Sequence, residues 1–221
     1  NYLEYIKSLN FTKNWPVDSL IEYLKNPLNF GLAMVACNDA DCLIAGAAHS
    51  SSDVIRAAIR LVGVRPDSNN VSSIFFMIDP VGEKAFTYAD CAVIPEPDKN
   101  QLAEIAAFSA KFHQLLSEEE PIVAFLSFSS KGSANHYRVD KVKDTVKIFA
   151  KKYPYIIHDG EIQFDAAIVP EINFQKAPDS PIKGNANVLI FPNLDAANIA
   201  YKITQRLAGY SAWGPLLQGL N

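Results

Sequence analysis

Two short stretches of this chain carry the side-chain types that bind small anions. The first is Ser50, Ser51, Ser52 and Asp53, followed one turn later by Arg56, within CLIAGAAHSSSDVIRAAIRLVG (residues 42–63). Hydroxyls and Asp cap helices, and a helix start offers free backbone N–H groups at the positive end of the dipole, which together make an anion site. A guanidinium one turn in can reach back over the loop and grip a phosphate in two-pronged fashion. Without Arg56 the stretch is explained, if anything better, by the capped helix that any α/β protein needs, and Arg56 shifts that balance. Arg60 reads as a solvated surface charge. The second stretch is SFSSKGS (residues 127–133), with Ser127, Ser129, Ser130, Lys131 and Gly132 at the carboxyl end of an apolar run. That end of a strand is the edge where open α/β sheets bind ligands. The pattern GxxxxGK is absent, so a nucleoside triphosphate is not implied. Alone, this loop reads equally as a mobile polar surface; two such loops in one chain point to a multiply phosphorylated ligand.

The elements that must position these residues follow from periodicity. Cys42, Leu43, Ile44 and Ala45 predict a buried strand, and Val54, Ile55, Ala58, Ile59 and Val62 one apolar helix face that leaves Arg56 off it. Residues 1–40 predict helices, one over 17–25 and a second capped by Asn29 and running through Cys37, packed against that strand. Residues 65–70 form the most linker-like cluster, where a domain boundary is expected. Residues 71–79 and 84–93 predict an antiparallel hairpin, 98–116 a helix, 122–126 a strand, 139–152 a lysine-rich amphipathic helix, 155–158 a strand, 163–170 a helical or mixed segment, 187–191 a buried strand and 195–207 a helix. Strands alternating with helices at this spacing mean an α/β fold with a largely parallel sheet.

Composition bounds the rest. At 221 residues the chain can hold one large or two small domains. A net charge of -4 argues against a nucleic-acid face, and the lysines of 139–152 lack interleaved aromatics. No apolar run approaches the ~18–20 residues of a membrane span, and no signal peptide is evident, so a cytoplasmic protein is expected. Cys37, Cys42 and Cys91 lack CxxC spacing and read as reduced, mostly buried thiols, Cys91 as a structural one. The four histidines show no metal-binding spacing; His49, beside the serine loop, reads as a substrate contact or as a structural loop residue.

Longer stretches are recognisable together. FDAA at 164–167, KAPDSPIKGNANVLIFPNLDAANIAYK at 176–202, QR at 205–206, GPLLQGL at 214–220, NFGLAMVACNDADCLIAGAAHSSSDVIRAAI at 29–59, VSSIFFM at 71–77, YADCAV at 88–93, QLAEIA at 101–106 and LSFSSKGSA at 126–134 resemble the phosphate acetyltransferases, within the phosphate acetyl/butyryl transferase family. The resemblance covers nearly the whole chain in order. It implies a two-domain α/β/α protein of the isocitrate/isopropylmalate dehydrogenase-like type, with mostly parallel sheets and an active-site cleft between domains. The expected domains are residues 1–66 joined by 216–221, and 67–215. It implies reversible transfer of an acetyl group between coenzyme A and inorganic phosphate, in a homodimer, with coenzyme A as substrate, no permanently bound cofactor and no metal.

By that resemblance Arg56 looks like the arginine on the phosphoryl group, and Arg206 like the one near coenzyme A. Both polar loops, with Asn198, are expected to line the substrate site. The family pattern continues past GPLLQGL into a Ser and an Arg that stabilise the transition state and then an Asp proposed as general base. The chain, which starts at Asn1 without Met, therefore reads as partial at both ends and without that base. Two other readings stay open: a phosphate butyryl or branched-acyl transferase, and a non-catalytic acetyl-CoA-sensing domain similar to that fused to some malic enzymes.

Overall fold

A computed structural model describes residues 2–221, which divide into two compact units: residues 2–71 with Gly219–Asn221, and Ser72–Gln218.

The first unit is helical. It holds α1 (Tyr2–Ser8), a 3-10 turn (Asn10–Thr12), α2 (Val17–Leu24), α3 (Pro27–Ala36) and α4 (Ser51–Leu61). Ile6, Leu20, Leu28, Leu32, Ala33, Ala58 and Leu61 form its buried core. Pro27 opens α3 with its φ already helical, and the cap is Asn26, whose side chain accepts from the Leu28 N–H at 2.9 Å. Asn29, expected as that cap, lies inside α3 and is buried, donating its side-chain amide to the Tyr23 carbonyl at 3.0 Å. The chain returns to this unit at its end: the Arg65 N–H donates to the Gly219 carbonyl and the Asn221 N–H to the Gly63 carbonyl. Gly219 is required there, because its φ is +88° and a Cβ would lie 2.2 Å from the Asn70 carbonyl oxygen.

The expected strand at 42–45 is not formed. Those residues have no regular structure and are exposed, Ile44 at 95%. A strand needs a hydrogen-bonding neighbour, and no named strand lies among the described residues of this unit. Four apolar residues in a row specify burial only when something covers them.

The second unit is a six-stranded sheet in the order β4-β3-β5-β2-β1-β6. In chain order it comprises β1 (Ser72–Ile78), β2 (Ala85–Ala89), α5 (Lys99–Ser117), β3 (Ile122–Leu126), α6 (Tyr137–Lys152), β4 (Ile157–Ile162), α7 (Phe164–Ile168), α8 (Pro170–Lys176), β5 (Val188–Ile190), α9 (Leu194–Leu207) and β6 (Ser211–Gln218). The β4/β3, β3/β5 and β5/β2 pairs are parallel, and β1 is antiparallel to both β2 and β6. Strand alternation feeds two cores. Val123 and Phe125 join Ile74, Val188 and Ile190 with α5 and α6; Ala124 and Leu126 join Met77, Leu189 and Ile162 with residues of α7, α8 and α9.

The hairpin pairs Ile74 with Ala89 and Ile78 with Ala85. Residues 155–158 overlap only the start of β4, whose remainder is the charged DGE run. β6 was not expected, since Gly214–Pro215 interrupts any strand pattern; it lies at the sheet edge, where proline is tolerated.

Candidate functional site

The carboxyl ends of the parallel strands in the second unit gather the polar loop at 127–133, the end of β4 and the start of α9. A capping box at Asp98 starts α5. Asn193, whose side chain accepts from the Ala196 N–H at 3.0 Å, starts α9. Asn198, one turn on, donates its side-chain amide to the Cys91 carbonyl at 3.1 Å, tying α9 to the end of β2. Lys141 donates to the carbonyls of Pro97 (3.1 Å) and Pro192 (2.9 Å) and pairs with Glu96, joining three segments of the same edge.

The loop is built from its own hydroxyls and from two acids of β4. The Ser129 N–H donates to Ser127 Oγ (3.2 Å), the Ser130 N–H to Ser133 Oγ (3.0 Å) and the Ala134 N–H to Ser129 Oγ (3.1 Å). The Lys131 N–H donates to the Glu161 carbonyl (3.2 Å), the Gly132 N–H to Glu161 Oε1 (2.6 Å) and the Ser133 N–H to the Ser130 carbonyl (3.1 Å). Ser130 Oγ accepts from the Gln163 N–H at 2.9 Å. Every backbone N–H from Ser129 to Ala134 is thus taken within the protein, so this loop is not the backbone anion cradle its composition suggests. What it offers a ligand is side chains: Ser127, and Lys131, which is partly exposed and paired with Asp159.

Asp159 and Glu161 were missed by sequence reasoning. They stand two apart on β4, across an irregularity in its pairing with β3, and both are buried. Lys143 lies 3.8 Å from Glu161 Oε1, and Asp159 Oδ2 has no hydrogen-bond partner among the described residues. The backbone between them is pinned, since a Cβ on Gly160 would lie 2.7 Å from Phe125 Cβ. The available signal was the DGE run itself, hidden because charged residues argue against a buried strand.

Behind the loop, Lys176 donates to Asp165 Oδ2 (2.7 Å) and Gln163 Oε1 (3.1 Å), and this partner holds the Asp165 carboxyl below the usual range. Of the three thiols expected to be mostly buried, Cys42 is exposed and Cys37 half-buried; Cys91 is fully buried, and burial pushes its thiol far above the ordinary range. A thiol so shielded is inert.

In the first unit, Ser50 caps α4, its Oγ accepting from the Asp53 N–H at 3.2 Å while donating to Asp53 Oδ2 at 2.7 Å. Ser50 Oγ is 3.0 Å from Ser52 Oγ, and Arg56 reaches back to Asp53 Oδ1 at 3.1 Å. The Ser50 hydroxyl, then the Arg56 guanidinium, hold the Asp53 carboxyl below its usual range. Ser51, Ser52, Asp53 and Arg56 are exposed. An exposed ion pair is worth ~0–1 kcal/mol, so a phosphate can take Arg56 from Asp53 at little cost. Arg206 sits exposed in the last turn of α9, ~12 Å along the axis from Asn198 at 1.5 Å per residue, and is not brought to the loop.

Residues 1–221 match the family model described as phosphate acetyl/butaryl transferase. The chain belongs to this family. Members it resembles include a phosphate acetyltransferase of Acetivibrio thermocellus, 42% identical over the whole of this chain and 68% of the relative. Among solved structures, the EutD phosphotransacetylase from Staphylococcus aureus superposes with a TM-score of 0.86 at 45% identity, covering 99% of this chain and 67% of that one. A phosphotransacetylase from Streptococcus pyogenes superposes at 0.90 and 37% identity, covering 100% and 66%. The chain therefore spans about two thirds of the length of these phosphate acetyl/butaryl transferase relatives. The expected α/β fold is that of the family's solved members. Among the described residues no helix is long and apolar enough to cross a membrane, and no three His, Cys, Asp or Glu side chains form a metal-binding group.

Proposed function

We propose that this chain carries substrate-binding and transition-state residues of a phosphate acetyltransferase, which moves an acetyl group reversibly between coenzyme A and inorganic phosphate. The observation that carries the reading is the 42% identity along the whole chain to a relative of that name. In the direction of thioester synthesis the coenzyme A sulfur, its proton taken by a general base, attacks the carbonyl carbon of acetyl phosphate. The C–O bond to phosphate then breaks, and phosphate leaves with the electron pair. Negative charge grows first on the carbonyl oxygen and then on the leaving phosphate, and a guanidinium and hydroxyls aimed there stabilise it. Arg56, with Ser50, Ser51 and Ser52, is assigned that role on the phosphate; Ser127, Lys131 and Asn198 are assigned to substrate binding and Arg206 to coenzyme A, while Ser129, Ser130 and Gly132, whose polar groups are taken up within the loop, shape it. Direct transfer without an acyl-enzyme agrees with the buried, inert thiol of Cys91.

The same reading makes the protein a cytoplasmic homodimer, with Cys37, Cys42 and Cys91 kept as thiols. The test is exchange between acetyl phosphate and coenzyme A, followed by loss of free thiol, on the 221-residue chain and on the full product of its gene. Thiol consumption by the gene product is the expected result. Acetyl-CoA binding without turnover in that product would replace the enzyme with an acetyl-CoA sensor.

A further inference from the structure

The SFSSKGS loop has no ladder to hold its shape, yet it is closed around one atom. Glu161 Oε1 accepts from the Gly132 N–H at 2.6 Å and from Ser129 Oγ at 3.2 Å, with Lys143 Nζ at 3.8 Å. The carboxylate fills the interior that a bound anion would fill, and it is buried at 2% exposure, so it does not exchange with solvent ions. Within the loop Lys131 has φ +50°, a left-handed backbone uncommon for a non-glycine residue. Its ammonium carries three donors. One meets the buried Asp159, and the side chain remains 39% exposed, which leaves donors facing outward.

We propose that Glu161 is a positioning residue for the phosphate-bearing substrate, fixing the loop from inside so that Lys131 presents its ammonium at the sheet's carboxyl edge. This rests on the phosphate-binding reading of the loop given above. Glu161 acts through Lys131 and does not touch the substrate. A bare electrostatic view predicts the opposite sign, since removing a negative charge beside a phosphate site strengthens anion binding.

The test uses the full gene product, with calorimetric binding of inorganic phosphate and, separately, of coenzyme A, and with exchange kinetics. Glu161→Gln is expected to weaken phosphate binding and raise its KM about tenfold, the scale of one or two charge-assisted hydrogen bonds, with coenzyme A binding unchanged. Ser129→Ala, which removes one contact to the same oxygen, is expected to act in the same direction by less, and covers the case in which Glu161→Gln does not fold. In a Lys131→Met background the effect of either change should vanish. Phosphate binding that is unchanged or tighter in the folded variants, or an effect that persists without Lys131, overturns the proposal. Phosphate binding that responds as expected in a protein without exchange activity keeps Glu161 in this role and removes the acetyltransferase reading. Exchange activity with an unresponsive phosphate KM does the reverse, and a wild-type protein that binds no phosphate removes both.

Discussion

Arg56 is the residue on which most of the phosphate chemistry is placed, and its surroundings make it separable from the fold. It lies exposed on α4 and pairs with Asp53, itself exposed. Arg56→Ala is expected to lower kcat/KM for acetyl phosphate by 10- to 100-fold, the loss of a hydrogen-bonded charge worth ~1.5–3 kcal/mol, while the thermal melt stays in place. Unchanged kinetics would take Arg56 out of the site. His113 shows the opposite case, a titratable residue wholly inside. Its Nδ1 is 3.0 Å from Thr87 Oγ1, and Nε2, 3.6 Å from Glu119 Oε2, has no hydrogen-bond partner among the described residues. Burial holds its pKa below the ordinary value, with Glu119 opposing in part. The unfolded chain then binds a proton near the ordinary pKa of ~6.5 that the folded chain refuses, so stability is full above that pH and falls as pH drops below it. Urea midpoints at pH about 7.5 and about 5.5 should show this loss in the wild type and a smaller one in His113→Gln. An equal loss in both would assign the acid sensitivity to other groups.

Among the elements, β1 and β2 depend on a buried acid just past the end of β2. Asp90 Oδ1 accepts from the Ser73 N–H (3.1 Å), Ser73 Oγ (2.5 Å) and the N–H groups of Ala92 (3.2 Å) and Val93 (3.3 Å), and Oδ2 from that of Ile94 (2.8 Å). Asp90→Ala strands several buried donors at once and is expected to cost ~3 kcal/mol or more, with Asp90→Asn intermediate, both measured by chemical unfolding. A loss below ~1 kcal/mol for Asp90→Ala would mean that water replaces the carboxylate. YADCAV was readable as a strand but not as this turn, because nothing in the residue order says that an Asp will be buried. The same limit hid Asp159 and Glu161. Capped helices such as α4, α5 and α9 were legible because each declares itself within its own length, although the buried face of α4 is Ala57, Ala58 and Leu61 and leaves the expected Ile59 exposed. The segment 42–45 was misread for the converse reason: whether an apolar run becomes a strand depends on a neighbour that its own residues do not contain. In the loop, residue types pointed to anion binding, and only the structure assigns the backbone donors to Glu161 and the loop's own oxygens.

At the scale of the whole molecule, α9 presents an apolar stripe to solvent. Ile199 (58% exposed), Ile203 (52%) and Leu207 (84%) recur every four residues along it, with Trp213 (63%) exposed on β6. Asp195 begins the same row and Arg206 adjoins its end. A second copy of α9 laid antiparallel would therefore meet apolar with apolar and acid with base, which is the self-complementarity a twofold dimer requires. This supports the homodimer as a proposal independent of family resemblance. Ile203 is already half buried, so completing its burial in each copy is worth ~0.8–1.5 kcal/mol, and Ile203→Asp removes ~1.5–3 kcal/mol across the two equivalent contacts and raises the dissociation constant about 10- to 100-fold. Sedimentation equilibrium of the full gene product should show a dimer for the wild type and a shift to monomer for Ile203→Asp, with the circular dichroism spectrum retained because the side chain is already half in water. A wild-type monomer at every concentration would refute the pairing. A dimer that survives the substitution would move its interface to another face of the protein.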